Sequence, residues 1–355
     1  MIAGKENLRI LIVCWDNIGD VVLATPLIKK WRKSYPQAHI AVLVKDYTQY
    51  LLQENPYFDE LIVHTPFWAK DYTGLKNGWR DFWRFAKELR QKKFDLAVIT
   101  NADWRKALLI RLAGISHRLG HQRKMSRFLL TAAISSSEKN KHIVQYHWEL
   151  SPKFELTVSE DPEIFVPKEL DRWVENFWRM KKTLTGTPVL GLHPFAGNIS
   201  RCWPEENLIE LINQLVAQGW EVLIFSHEKE SLLAKGIKVN LLASVNWIRN
   251  IPFPKILALM RSCDVFLGND SGLLHCAAAL SMPVVGIYGP SDWQRSAPWG
   301  DKAKTLRANL ECAPCGSDPK CKDLKCLKLI SPEEVKQAVL QQIKLSNAGQ
   351  IRFGV

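Results

Sequence analysis

Short apolar strands alternate with amphipathic helices along this chain, and the alternation runs twice. In the first half, Arg9–Cys14, Ile40–Val44, Glu60–His64 and Leu96–Thr100 read as strands. Gly19–Ser34, Thr48–Glu54, Trp79–Lys92 and Trp104–Ala113 read as the helices between and after them. In the second half, Val189–His193, Glu221–Phe225, Val265–Gly268 and Pro283–Tyr288 read as strands. Their helices are Pro204–Gln218, Lys229–Lys235, Pro254–Arg261, Gly272–Leu280 and Pro332–Leu345. Consecutive parallel strands need a crossover, and a helix is the usual one, so the pattern predicts parallel sheets covered on both faces. The chain has 355 residues, of which 46% are apolar, enough for two cores. The stretch His117–Asn140 is basic and polar, and the helix Asp171–Lys182 leads to a short polar segment, 183–188. The predicted organisation is therefore one Rossmann-like domain over 1–182 and a second over 183–355.

Ligands of such sheets bind beyond the carboxyl ends of the strands, so the loops there are the places to look for chemistry. Trp15-Asp16-Asn17-Ile18-Gly19-Asp20 follows the first strand. Gly19 permits a tight turn, and Asp20 stands near a helix N-terminus as a cap, a dipole partner or a catalytic carboxylate. The three-glycine dinucleotide fingerprint is absent. Gly268-Asn269-Asp270-Ser271-Gly272-Leu273-Leu274-His275 joins a strand to a helix whose first N–H groups suit a phosphate. There Asp270 can accept bonds from sugar hydroxyls and His275 can donate to a phosphate oxygen; a cap and a packed helix histidine are the structural alternatives. His193 through Pro204 follows the first strand of the second half, and its Arg201 can pair with a diphosphate or simply face solvent. Ser226 through Glu230 follows the next strand, where a carboxylate can hold ribose hydroxyls. Tyr288 through Asp292 is a turn that its Gly-Pro alone explains.

The net charge is +12, with basic residues concentrated at Lys29–Lys33, Arg80–Lys93, Arg105–Arg127 and Lys139–Lys141. Trp68, Trp79, Trp83 and Trp104 are interleaved with them. The pattern points to an anionic partner, and without a nucleic-acid motif it favours an acidic lipid or glycolipid. No apolar run approaches the roughly 20 residues of a membrane span, and no signal peptide opens the chain, so a cytoplasmic protein is expected. Of the eight cysteines, Cys14, Cys202, Cys263 and Cys276 are scattered. Cys312, Cys315, Cys321 and Cys326 cluster in a polar loop. Four thiolates so spaced can hold a structural zinc or iron; free thiols or a disulfide are the alternatives.

Taken together, the loops resemble those of glycosyltransferase family 9, the ADP-heptose:lipopolysaccharide heptosyltransferases. The residues that carry the resemblance are Ile18-Gly19-Asp20 with Pro26, His193-Pro194 through Arg201-Cys202-Trp203-Pro204, and Asn269-Asp270-Ser271-Gly272 with His275. Ala277-Ala278, Pro283, Tyr288 through Asp292 and the Cys312-to-Leu327 segment complete it. The resemblance implies a GT-B fold, two Rossmann-like domains facing a central cleft. It implies an acceptor site for the lipopolysaccharide inner core in the first domain and an ADP-heptose site in the second. It makes Asp20 the base of an inverting transfer, Glu230 the ribose ligand and Asp270 a contact to the transferred sugar. No cofactor is required if Arg201 and the Ser271–His275 helix start neutralise the leaving diphosphate. Some relatives bind metal through such cysteines. The chain departs from the family's common pattern in having Arg201 for Lys, Ser271 for Thr, and no glycine-rich segment before Glu230. The cysteine segment and the basic 139–142 stretch lie nearer to heptosyltransferase III-like enzymes, which add a later or branch heptose. Peripheral contact with the inner leaflet of the membrane is expected, and a nucleic-acid partner is not. The alternatives are a GT-B transferase for another nucleotide sugar and a non-enzymatic basic binding module.

Overall fold

The first strand, RILIV, is apolar apart from its opening arginine, and a strand of that kind is stable only when both faces are covered. The computed structural model covers it so. The residues it describes are 7–69, 78–135, 141–152, 158, 160–181, 183, 186–227, 245–316, 321 and 323–346. Strands β1 (Arg9–Val13), β2 (His39–Val44), β3 (Glu60–Val63), β4 (Leu96–Ile99), β5 (His117–His121) and β6 (Ala132–Ile134) form one sheet in the order β3-β2-β1-β4-β5-β6. Every pairing is parallel, with Leu11 opposite Ala41 on one side and Ala97 on the other.

A second sheet repeats the plan. It contains β7 (Val189–His193), β8 (Glu221–Phe225), β9 (Asn246–Ile248), β10 (Val265–Asn269), β11 (Val284–Ile287) and β12 (Ala303–Leu306). Its order is β12-β11-β10-β7-β8-β9, again wholly parallel. Counted from its own first strand, each sheet has the doubly wound order 3-2-1-4-5-6. The expected α/β class with two Rossmann-like sheets is therefore present. Four strands, β5, β6, β9 and β12, lie where the sequence had suggested none.

The helices bury one stripe each. In α3 (Gly78–Gln91) the inward residues are Phe82, Phe85, Ala86 and Leu89, at helical spacing. The predicted helix 19–34 is two, α1 (Ile18–Leu23) and α2 (Thr25–Ser34), with Pro26 in the first turn of the second. The predicted 48–54 helix is a 3-10 helix, Asp46–Leu51.

The chain divides into two compact units, Met1–Phe165 and Val166–Val355. The division falls ahead of helix Asp171–Lys181, which packs with the second unit. Its buried Trp178 donates from Nε1 to Ser262 Oγ at 2.9 Å, and Asp171 pairs with Arg261.

Candidate active site

In a doubly wound sheet the crevice opens where successive connections leave in opposite directions, between strands 1 and 4 of the local order. In the first unit that point lies between β1 and β4. The loop after β1 carries Asp16, Gly19 and Asp20; the loop after β4 carries Asn101 and leads to α4 (Trp104–Leu112). Asp16 ties the two together. Its carboxylate accepts from Thr100 Oγ1 at 3.0 Å, Asn101 Nδ2 at 2.8 Å and Lys106 Nζ at 2.6 Å. Burial alone would raise the Asp16 pKa, but the Lys106 charge and these donors hold it below the usual carboxylate range. The Cys14 thiol beside it is pushed up to about 12, by burial first and then by the Asp16 charge.

Asp20 is half-buried in the first turn of α1, with Asn17 at the capping position. It is therefore not the helix cap. Asn17 does not cap through its side chain; its Oδ1 accepts from Tyr47 OH at 2.8 Å and Lys45 Nζ at 3.1 Å. Sequence reasoning placed Gly19 and Asp20 but missed Asp16, Thr100, Asn101 and Lys106. A carboxylate and an ammonium ninety residues apart leave no local signal.

In the second unit the corresponding point lies between β7 and β10, and four of the expected residues meet there. His193 ends β7 and its Nδ1 lies 3.1 Å from Ser271 Oγ. Arg201 donates from Nη1 to Asp270 Oδ2 at 3.2 Å. Asn269 locks the two loops, accepting from Trp203 N at 3.0 Å and donating to Pro194 O at 2.7 Å. The helix Gly272–Ala279 opens directly below, with Ser271 at its capping position making no side-chain cap bond. Its first N–H groups and the Arg201 guanidinium are thus two sources of positive potential at one point.

His275, one turn into this helix, is buried. It is 5% exposed, and burial lowers its pKa against the pull of Asp270, so the ring is neutral at pH 7. Among the described residues its Nδ1 has no hydrogen-bond partner. Tyr288, which opens the turn after β11, donates to Ser296 O at 2.6 Å and stays protonated, through burial first and the Asp270 charge second. Glu230 falls outside the described residues.

The cysteine loop packs against the same unit. Cys315 N and Gly316 N both donate to Pro290 O, at 3.1 and 2.9 Å. Cys312, Cys315 and Cys321 are exposed, whereas Cys326 belongs to the apolar core with Trp203 and Leu327. The Cys326 thiol is pushed up by burial and then by the neighbouring sulfurs. All eight cysteines are free thiols, so no disulfide closes the loop. Among the described residues, no group of three or more His, Cys, Asp or Glu side chains is assembled to hold a metal ion. Cys326 nevertheless stands near enough to Cys312, Cys315 and Cys321 for their sulfurs to act on its thiol.

A model of glycosyltransferase family 9 (heptosyltransferase) matches residues 82–325. Lipopolysaccharide heptosyltransferase 2 of Escherichia coli (strain K12) is 27% identical over 317 residues, covering 84% of this chain and 88% of that protein. Lipopolysaccharide heptosyltransferase 3 of Escherichia coli is also 27% identical, over 308 residues, covering 80% of this chain and 84% of the other. Equal identity to the two types gives no preference for the heptosyltransferase III-like assignment. The solved structure of Escherichia coli ADP-heptose LPS heptosyltransferase II matches with a TM-score of 0.79 at 23% identity, over 95% of this chain and 99% of that one. This likeness identifies the fold class as GT-B. With the family model spanning more than half of the chain, this protein belongs to glycosyltransferase family 9 and is a glycosyltransferase.

Proposed function

We propose that the protein transfers heptose from ADP-heptose to a hydroxyl of the lipopolysaccharide inner core, with inversion at the anomeric carbon. The observation that carries the donor half is the meeting of Arg201, Asp270, Ser271 and a helix N-terminus at the β7/β10 switch point. A departing diphosphate needs positive charge that is already in place before the bond breaks. Arg201, held by Asp270, and the N–H groups opening the helix supply it without reorganisation. Asp270 keeps Arg201 oriented and has a second carboxylate oxygen for a sugar hydroxyl. His193 fixes the Ser271 hydroxyl beside the phosphate position. Buried, neutral His275 supports the loop from below. Glu230 is proposed to hold the ribose.

On the acceptor side, Asp20 takes the proton from the attacking hydroxyl. The new bond forms between that oxygen and the anomeric carbon while the bond from this carbon to the diphosphate oxygen breaks. ADP leaves with the electron pair. The Asp16–Lys106 pair serves this step indirectly, by fixing the loop that carries Gly19 and Asp20. The lipopolysaccharide acceptor brings the protein to the inner leaflet of the membrane, where it works as a cytoplasmic, peripheral enzyme. The step requires no metal.

A donor panel tests the reading. With a core acceptor lacking the relevant heptose, ADP release is expected from ADP-heptose and not from ADP-glucose, UDP-sugars or GDP-sugars. Turnover of a UDP- or GDP-sugar with none of ADP-heptose would overturn it in favour of another transferase. Salt-sensitive binding to nucleic acid with no sugar-nucleotide binding would overturn it in favour of a basic binding module.

A further inference from the structure

The charge pattern of the first unit has a stretch that the transfer chemistry leaves unused. Between Asp103 and Glu138 the sequence has no carboxylate but seven lysines and arginines. Its exposed part is the connection from β5 to β6, which contains the 3-10 helix Lys124–Phe128. One small side chain pins this helix. Ser126 is 2% exposed; its Oγ donates to Arg123 O at 2.7 Å and accepts from Arg123 N at 3.1 Å. With Ser126 turned in, Met125 and Phe128 are turned out, at 59% and 71% exposure. Phe128 is the most exposed of the large aromatic side chains among the described residues. Cations border it: the Arg127 guanidinium lies 4.9 Å from its ring centre, and Arg111 of α4 donates to its carbonyl at 3.4 Å.

An apolar knob that remains exposed costs solubility, and a fixed one set among arginines invites a particular partner. Two apolar side chains beside guanidiniums match a surface that stacks hydrocarbon beneath a layer of anionic phosphates. A nucleic acid offers the charge without the hydrocarbon. The neighbouring helices continue the character: the 3-10 helix packs on α4, α4 packs on α3, and α3 leaves Trp79 and Trp83 half exposed. The connection also starts at the carboxyl end of β5, on the sheet edge that carries the Asp20 loop.

We propose that the 3-10 helix Lys124–Phe128 is a membrane-docking element, inserting Met125 and Phe128 into an anionic phospholipid surface while Arg111, Arg123 and Arg127 meet the phosphates. This deepens the functional reading above, on which it rests for the reason a lipid surface should be approached at all.

Co-sedimentation of the purified full chain with vesicles tests it. Binding is expected to phosphatidylcholine vesicles containing phosphatidylglycerol, not to phosphatidylcholine alone, and to weaken as salt rises. Phe128→Ser should lower partitioning on the order of tenfold, and Arg127→Glu by about tenfold or more. Both variants should keep the wild-type thermal transition and should turn over a deacylated, soluble core acceptor at the wild-type rate. Wild-type partitioning by both variants would overturn the assignment, as would equal binding to neutral vesicles. So would a single-stranded oligonucleotide that binds the wild-type chain more tightly than anionic vesicles do. Turnover with the soluble acceptor reports separately on the transfer reaction, so failure of one reading is distinguishable from failure of the other.

Discussion

Asp16 and Lys106 form a nearly buried ion pair, with side chains 11% and 4% exposed. Such a pair seldom adds net stability, because two charges must leave water. Its return here is geometric: three donors on the Asp16 carboxylate fix the backbone that leads into Gly19 and Asp20. The same pocket holds His147, 1% exposed, whose pKa burial lowers from 6.5 to about 4. The folded protein thus keeps this ring neutral in a range where the unfolded chain takes up a proton. Stability that is intact above pH 6.5 is therefore lost progressively as pH falls toward 4, by on the order of 3 kcal/mol in full. Urea denaturation at pH 7, 5.5 and 4.5 should show this fall, and a smaller one in His147→Gln. Equal slopes in the two proteins would remove His147 as the cause.

At the scale of elements, the strands legible in the sequence are mostly the apolar ones, with the edge strand β3 among them. β1, β2, β7, β8, β10 and β11 are continuous apolar runs because helices cover both faces. The unrecognised strands are polar or short. β5 reads His-Arg-Leu-Gly-His, and β6 and β9 have three residues each at sheet edges, where sequence alternation carries little information. The compact division at 165/166, ahead of the expected 182/183, has a related reason. Helix Asp171–Lys181 has a clear amphipathic pattern, but nothing local says which unit receives Trp178. Of the candidate site, the loops after β1, β7 and β10 were legible from glycines and charges at strand ends. The bonds among them, such as His193 to Ser271, were not. The turn after β11 gives a test. A Cβ on Gly289 would stand 2.5 Å from Leu327 Cγ, in the core beneath the cysteine loop. Gly289→Ala should cost about 1–3 kcal/mol and lower the Tm by roughly 2–10 °C. An unchanged Tm would mean that Leu327 yields without cost.

At the scale of the whole molecule, the two units share one strand order. Each opens its switch point with a different set of charges. The first carries carboxylates in its loop after β1; the second pairs a guanidinium with a helix N-terminus. Among the described residues no helix is long and apolar enough to cross a membrane. In the proposed transfer Asp20 is the base, and Arg201 with the start of the helix Gly272–Ala279 meets the leaving diphosphate. Single-turnover ADP release from ADP-heptose, measured with acceptor for the wild type and for Asp20→Ala alongside calorimetric titration of ADP, tests it most directly. A loss of roughly 10²–10⁴-fold in the transfer rate with unchanged ADP affinity is the expected result. Wild-type release by Asp20→Ala would contradict the account.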